Sequence, residues 1–234
     1  MPDNTYDAQL DFLLQVLQAT AESGGDQQVV YPLLKANIDK LNDRLAELLR
    51  VVATTRLAEA EAYQAGYLAA VIGTFSDLIQ EFPLGDKASN IEIAITGYEV
   101  ILTVFTCEAF PENWATLQNN LGLAYYDRIT GEKAQNLEDA IACYQLALEV
   151  RTREAFPIDW ASIQNNLGLA YNNRIIGEKS QNLEDAIACY KLALEVRTRE
   201  AFPIDWASTQ NNLGLAYSER ITGDKSQNLE DAFA

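Results

Sequence analysis

Ala155–Glu200 reads AFPIDWASIQNNLGLAYNNRIIGEKSQNLEDAIACYKLALEVRTRE. Ala109–Glu154 repeats it with nine changes in 46 positions, and Ala201–Ala234 repeats its first 34 residues with six. Self-similarity at a fixed period of about 20–50 residues marks an architecture of stacked units. The fold of one unit therefore decides the fold of the chain.

One copy carries two helical patterns. The first opens at Phe156-Pro157, because proline suits a first helical position and disfavours helix in the residue before it. Apolar side chains follow at Trp160, Ile163, Leu167, Tyr171 and Ile175, spacings of three and four that share one helix face. Gly177 is expected to stop this helix. Asn182 reads as the N-cap of the second, with Glu184 and Asp185 in its first turn, where their charge suits the helix dipole. Leu183, Ala186, Ile187, Tyr190, Ala193 and Leu194 form its apolar side. Small residues at Gly168 and Ala170 point to close approach by the partner helix. A lone helix pair cannot bury these stripes, whereas stacked copies can, each covering its neighbour.

Leu167-Gly168-x-x-Tyr171, followed by Ala186, Tyr190 and Ala193, resembles the tetratricopeptide repeat: Leu-Gly-x-x-Tyr, then alanine, an aromatic and alanine. That family's usual period is about 34 residues. The 46-residue period here resembles the long-repeat branch of kinesin light chains and many bacterial proteins. The FPxxWAxxQNNLGxAYxxRI wording is similar to repeats of cyanobacterial proteins that carry a caspase-like CHAT protease or another effector. The resemblance implies an all-α, right-handed α-solenoid that binds a peptide or partner helix in a concave groove lined by first helices. It also implies that the asparagine before Leu-Gly contacts the ligand backbone, which carries over to Asn120, Asn166 and Asn212. Asn119, Asn165 and Asn211 precede them and share the expected role. An amide offers donors and an acceptor, which suits an extended backbone.

The copies differ at Tyr126, Asn172 and Ser218, at Asp127, Asn173 and Glu219, and at Thr116, Ser162 and Ser208. Specificity is expected there, and the first of these rows joins the candidate partner-binding residues. Arg128, Arg174 and Arg220 occur in every copy, placed either to neutralise groove acidity or to pair with acids of the adjacent unit. Lysine is missing from the first helices, so the usual basic clamp for a free carboxyl terminus is not evident.

Around the repeats, apolar residues at Leu10, Leu13, Leu14 and Leu17 predict a short helix from Tyr6 to about Ala21, broken by Gly24-Gly25. A second helix is expected from Pro32 to about Val52, with Leu34, Ile38, Leu41, Leu45, Leu48 and Val52 at alternating spacings of four and three. That is a heptad seam of under three heptads, suited to packing within the chain or to a dimer. Leu57–Phe82 reads as helical, with a weak break at Thr54-Thr55. Gly85–Asn90 lies one period before Gly131–Asn136, and Ile95 and Tyr98 match Ile141 and Tyr144. The expected organisation is an N-terminal capping region over 1–62, a degenerate repeat over 63–108, full repeats over 109–154 and 155–200, and an incomplete one over 201–234.

The final copy holds only the beginning of its second helix, which is expected to leave the back of Trp206, Leu213 and Tyr217 partly bare. Exposing ~300 Å² of apolar surface would cost on the order of 7 kcal/mol, comparable to the stability of a typical domain. The expectation is a fragment of a longer protein or an open end that binds something, self-association included.

A net charge of −17 and a pI near 4.3 argue against nucleic acid and anionic membrane as partners, and favour solubility or basic peptide segments. The N-terminus lacks the basic start and apolar core of a signal peptide, and no apolar run is long enough to span a bilayer. Cys107, Cys143 and Cys189 form no CxxC pair and read as reduced thiols of a cytoplasmic protein. No histidine occurs, which removes Ser-His-Asp and Cys-His catalysis and the commonest metal ligand. Gly177-Glu178-Lys179-Ser180 and its equivalent at Gly223 lack the upstream glycine and leading strand of a phosphate loop. Glu138-Asp139, Glu184-Asp185 and Glu230-Asp231 are explained by helix starts. The sequence thus predicts a protein-interaction scaffold with no cofactor, metal or catalysis of its own. Its rivals are a self-assembling structural module and the sensor part of a larger effector such as a caspase-like protease.

Overall fold

A computed structural model describes residues 4–220, 223–225, 227, 228 and 230. The described residues form ten α-helices and no strand. They divide into two compact units, 1–130 and 131–234.

The first unit contains α1 (Asn4–Ser23), α2 (Gln27–Ala36), a 3-10 turn (Ile38–Lys40), α3 (Asp43–Glu59), α4 (Ala62–Glu81), α5 (Lys87–Ile101) and α6 (Pro111–Asp127). The expected single helix from Pro32 to Val52 is broken. Asn42 caps α3 by accepting from the Leu45 N–H at 3.3 Å, and its Oδ1 also accepts from Gln9 Nε2 at 3.0 Å. Buried Gln9 reaches the Lys40 carbonyl as well, so α1 fixes the break. Of the six heptad positions, Leu34, Leu41, Leu45 and Leu48 are buried within the chain, Val52 is half-buried and Ile38 exposed, so most of the seam is internal packing. Thr54-Thr55 lies inside α3, and the next interruption comes at Ala60-Glu61.

α4 and α5 pack as a pair, as α8 and α9 do. Ser76 on α4 stands where the repeats place glycine, and α5 compensates with Gly97. A Cβ on Gly97 would fall 2.0 Å from Ser76 Oγ. The close approach is kept by moving the smallest residue to the other helix.

The second unit contains α7 (Lys133–Val150), α8 (Pro157–Asn173), α9 (Lys179–Leu194) and α10 (Pro203–Glu219), each packed on the next in chain order. Gly168 of α8 faces the ring of Tyr190 on α9, and a Cβ there would lie 2.6 Å from it. Tyr190 is buried as expected, whereas Trp160 and Tyr171 are half-buried. Two local expectations are corrected. α8 ends at Asn173, so Ile175 is an exposed loop residue and Gly177, at φ +87°, shapes the loop rather than the helix end. α9 begins at Lys179 with Glu178 as N-cap, and Asn182 sits inside it. Asn182 Nδ2 instead donates back to the Ile176 and Arg174 carbonyls, tying the loop to the helix. Glu184 and Asp185 are thereby moved beyond the first turn.

Leu213 and Tyr217 are also buried, in a cluster with Ala186, Ile187 and Tyr190, contrary to the expectation that α10 leaves them bare. Trp206 is half-buried, and the exposed residues of α10 include Ile204, Ala207, Ser208, Asn211 and Leu215. Asp231–Ala234, part of the expected incomplete second helix, lie outside the described residues.

Candidate functional site

Within each unit two first helices lie side by side: α4 with α6, and α8 with α10. These two surfaces carry the asparagine rows. All four helices share one feature of composition. Asp77, Glu81, Glu112, Asp127, Asp159, Asp205 and Glu219 are their charged residues, and none holds a lysine or arginine.

On the α8–α10 wall, Asn165 is buried and Asn212 half-buried, and the structure joins them. Asn212 Nδ2 donates to Asn165 Oδ1 at 3.2 Å, and Thr209 Oγ1 donates to the same oxygen at 3.2 Å. Thr209 is fully buried where the other copies have Leu117 and Ile163. Arg197, near the end of the preceding repeat, donates to Thr209 Oγ1 at 3.0 Å and to Ser162 Oγ at 2.9 Å. Burial pulls the Arg197 guanidinium below its ordinary value, and the Asp205 charge only partly opposes this. Sequence reasoning missed both residues. The one detectable signal was a threonine in an otherwise aliphatic row.

Asn166 is half-buried and Asn211 exposed on the same pair of helices. Asn172 and Ser218 sit at the far ends of α8 and α10, away from the amide cluster. The Asn172 carbonyl of the main chain accepts from Lys179 Nζ at 2.8 Å, while its side-chain Oδ1 is buried without a hydrogen-bond partner. Ser218 Oγ turns back to the Leu215 carbonyl at 2.8 Å.

On the α4–α6 wall, Asn119 Nδ2 donates to Asn120 Oδ1 at 3.3 Å, and Asn120 Nδ2 donates to Asp77 Oδ1 at 3.0 Å. Position 73 in α4, one period before Asn119, is glycine, so Asn120 meets the carboxylate instead of an amide. Tyr98 Oη also donates to Asp77 Oδ1, at 2.6 Å, and contacts Gln80 Oε1 at 3.1 Å. Asp77 keeps solvent on one side while the helices crowd it on the other. That crowding pushes its carboxyl above the ordinary value, against the donors Tyr98 and Asn120 and with help from Glu81. Burial and the Asp77 charge push the Tyr98 hydroxyl far upward, so it stays a donor. Tyr126 is half-buried at the end of α6, its hydroxyl raised by burial and by Asp127. Asp77 escaped sequence reasoning because the degenerate repeat was aligned through its loop and second helix. Set against Leu123, Leu169 and Leu215, the places one, two and three periods later, it stands out as the only acid.

The invariant arginines do not line these walls. Arg128 pairs with Glu92, Arg174 with Glu138 and Arg220 with Glu184, each through two hydrogen bonds of 2.7–2.9 Å to the second helix of the preceding repeat. The sequence left two roles open for them, and pairing with the adjacent unit is the one observed. No group of three or more His, Cys, Asp or Glu side chains converges as a metal site among the described residues. No described helix is long and apolar enough to cross a membrane.

No known family profile matches the chain, and no curated protein matches it. Among solved structures it is similar to the crystal structure of BtubC (BKLC) from P. vanneervenii, with 21% sequence identity and a TM-score of 0.57, over 99% of this chain and 88% of that one. At that identity the likeness shows the fold alone: the chain has an all-α architecture of stacked, tetratricopeptide-like helix pairs.

Proposed function

We propose that this chain is a non-catalytic protein-interaction scaffold that holds an extended peptide or a partner helix along its first-helix walls. Asn119, Asn120, Asn166, Asn211 and Asn212 are the backbone-reading amides, buried Asn165 holds Asn212 in place rather than meeting the ligand, and Tyr126, Asn172 and Ser218 are the residues that differ between sites. The observation that carries this reading is the pairing of first helices with amides on their shared surface. A primary amide has four hydrogen-bonding places, so Asn212, bonded to Asn165, keeps capacity for a ligand. Display of a random peptide library on the purified chain tests it. Enriched peptides whose binding drops when Asn120 and Asn212 become alanine support the reading, and a library without any enriched sequence sinks it.

A second reading, self-association through α10, is favoured by one comparison. Ala207, Asn211 and Leu215 are exposed, whereas their equivalents Ala161 and Asn165 are buried and Leu169 half-buried beneath α10. Light scattering across a concentration series separates the two, because a constant monomer mass removes this reading and leaves the first untouched.

A further inference from the structure

Building on the peptide-binding reading, we propose that the α4–α6 wall selects a cationic segment, with Asp77 anchoring one lysine or arginine side chain of the partner. Four observations lead there.

The wall has no base to satisfy an acidic ligand, since α4 and α6 hold Asp77, Glu81, Glu112 and Asp127 and no lysine or arginine. Asp77 occupies the place of an aliphatic residue in each other copy, so the negative charge is particular to this end of the wall. Its carboxylate is also fixed. Oδ1 accepts from Tyr98 at 2.6 Å and from Asn120 at 3.0 Å, which orients Oδ2 without using it. Finally, the neighbouring charge on α4 is Glu81, one turn away, and its repulsion adds to the crowding that raises the Asp77 carboxyl.

A fixed, solvent-reached carboxylate with an unused oxygen suits a charge-assisted hydrogen bond from outside. The geometry favours a strand of cations over a single metal ion. The acids are strung along two helices, and no three of them converge. Tyr63 and Tyr67 on the same helix are 87% and 58% exposed, and their ring faces suit guanidinium groups. The occupant is therefore a basic peptide segment, richer in arginine than in lysine.

Three labelled peptides of equal length test this by fluorescence anisotropy: one rich in arginine and lysine, one of asparagine, serine and glycine, and one rich in aspartate and glutamate. The basic peptide is expected to bind tightest and to weaken with added salt. Asp77→Asn keeps an acceptor for Tyr98 and Asn120, and is expected to weaken that peptide about fivefold, the worth of one well-placed charge pair. Glu81→Gln should weaken it in the same direction. Glu149→Gln changes net charge equally on an exposed site of α7 and should leave the affinity unchanged, which excludes a nonspecific effect of the chain's acidity. Equal affinity of Asp77→Asn and the parent chain, or equal binding of the neutral or acidic peptide, overturns the proposal while the interaction reading stands. Failure of all three peptides overturns both.

Discussion

Arg174 reaches Glu138, thirty-six residues earlier, with Nε 2.7 Å from one carboxylate oxygen and Nη2 2.7 Å from the other. Arg128–Glu92 and Arg220–Glu184 reproduce the arrangement at the same separation. Two parallel hydrogen bonds fix both distance and orientation, which a single point contact does not. The pair therefore sets the angle at which one repeat follows another. Glu138→Gln with Arg174→Lys, taken singly and together, should show a coupling of about 1 kcal/mol in urea unfolding, since both partners are partly exposed. Additive losses would show that the pair is only a surface contact.

The same staple carries a pH dependence. Burial pushes the Glu92 carboxyl up, but hydrogen bonds from Arg128 and Thr130 and the Arg128 charge outweigh it and leave it below its ordinary value of 4.5. A carboxyl lowered on folding stabilises the native state above the unfolded value, and that stability is lost as pH falls through the folded one. Melting temperature should therefore drop on acidification below about pH 4.5, and Glu92→Gln should flatten this part of the curve.

Gly168 is where the repeat tolerates least. Its Cα hydrogen faces the Tyr190 ring, and a methyl would lie 2.6 Å from Cε1 and 2.8 Å from Cδ1. The ring is buried and cannot swing away, so α8 and α9 would have to separate. Gly168→Ala should cost about 1–3 kcal/mol in urea unfolding despite the better helix propensity of alanine. The loss should shrink in a Tyr190→Leu background, because the clash is then gone.

The helix pair was legible because period and wording are local: three copies of Leu-Gly-x-x-Tyr and Ala-x-x-x-Tyr state the stacking stripe outright. What escaped was decided at long range. The break between α2 and α3 depends on Gln9, thirty-three residues from Asn42. Asn182 looks like an N-cap until the loop carbonyls it serves are seen. Among the candidate residues, the sequence placed the asparagines on the first helices, but burial of Asn165 and its bond to Asn212 follow from how α10 lies against α8. Asp77 was hidden in a repeat whose first helix has lost its wording.

The cysteines should separate by reactivity. Burial pushes the Cys189 thiol up to about 12, with Asp185 adding to the effect, and its equivalent Cys143 is buried to the same degree. Cys107 is only half-buried. The thiolate is the reacting species, so a thiol reagent at pH 8 should modify Cys107 first. Cys143 and Cys189 should follow only as the chain opens, at a rate that rises with urea. Immediate modification of all three would contradict the burial of the second helices.

Asp77 should make the fold weaker, not stronger, at neutral pH. Its carboxyl is raised above the ordinary 3.8, chiefly because the helices around it strip water from the charged form. A group raised on folding contributes stability that is full below the unfolded value and is lost as pH rises through the folded one. Asp77→Asn removes the charge and leaves an oxygen for Tyr98 and Asn120. The variant should therefore melt higher than the parent at neutral pH, and the gap should close below about pH 3.8, where Asp77 is protonated in both states. A cost of this kind, sited on an open wall, matches the common pattern in which binding surfaces give up stability for function. Thermal melts of the two chains across this pH range decide it: a variant that melts lower at every pH would mean that the carboxylate is a structural contact and that its charge is already compensated.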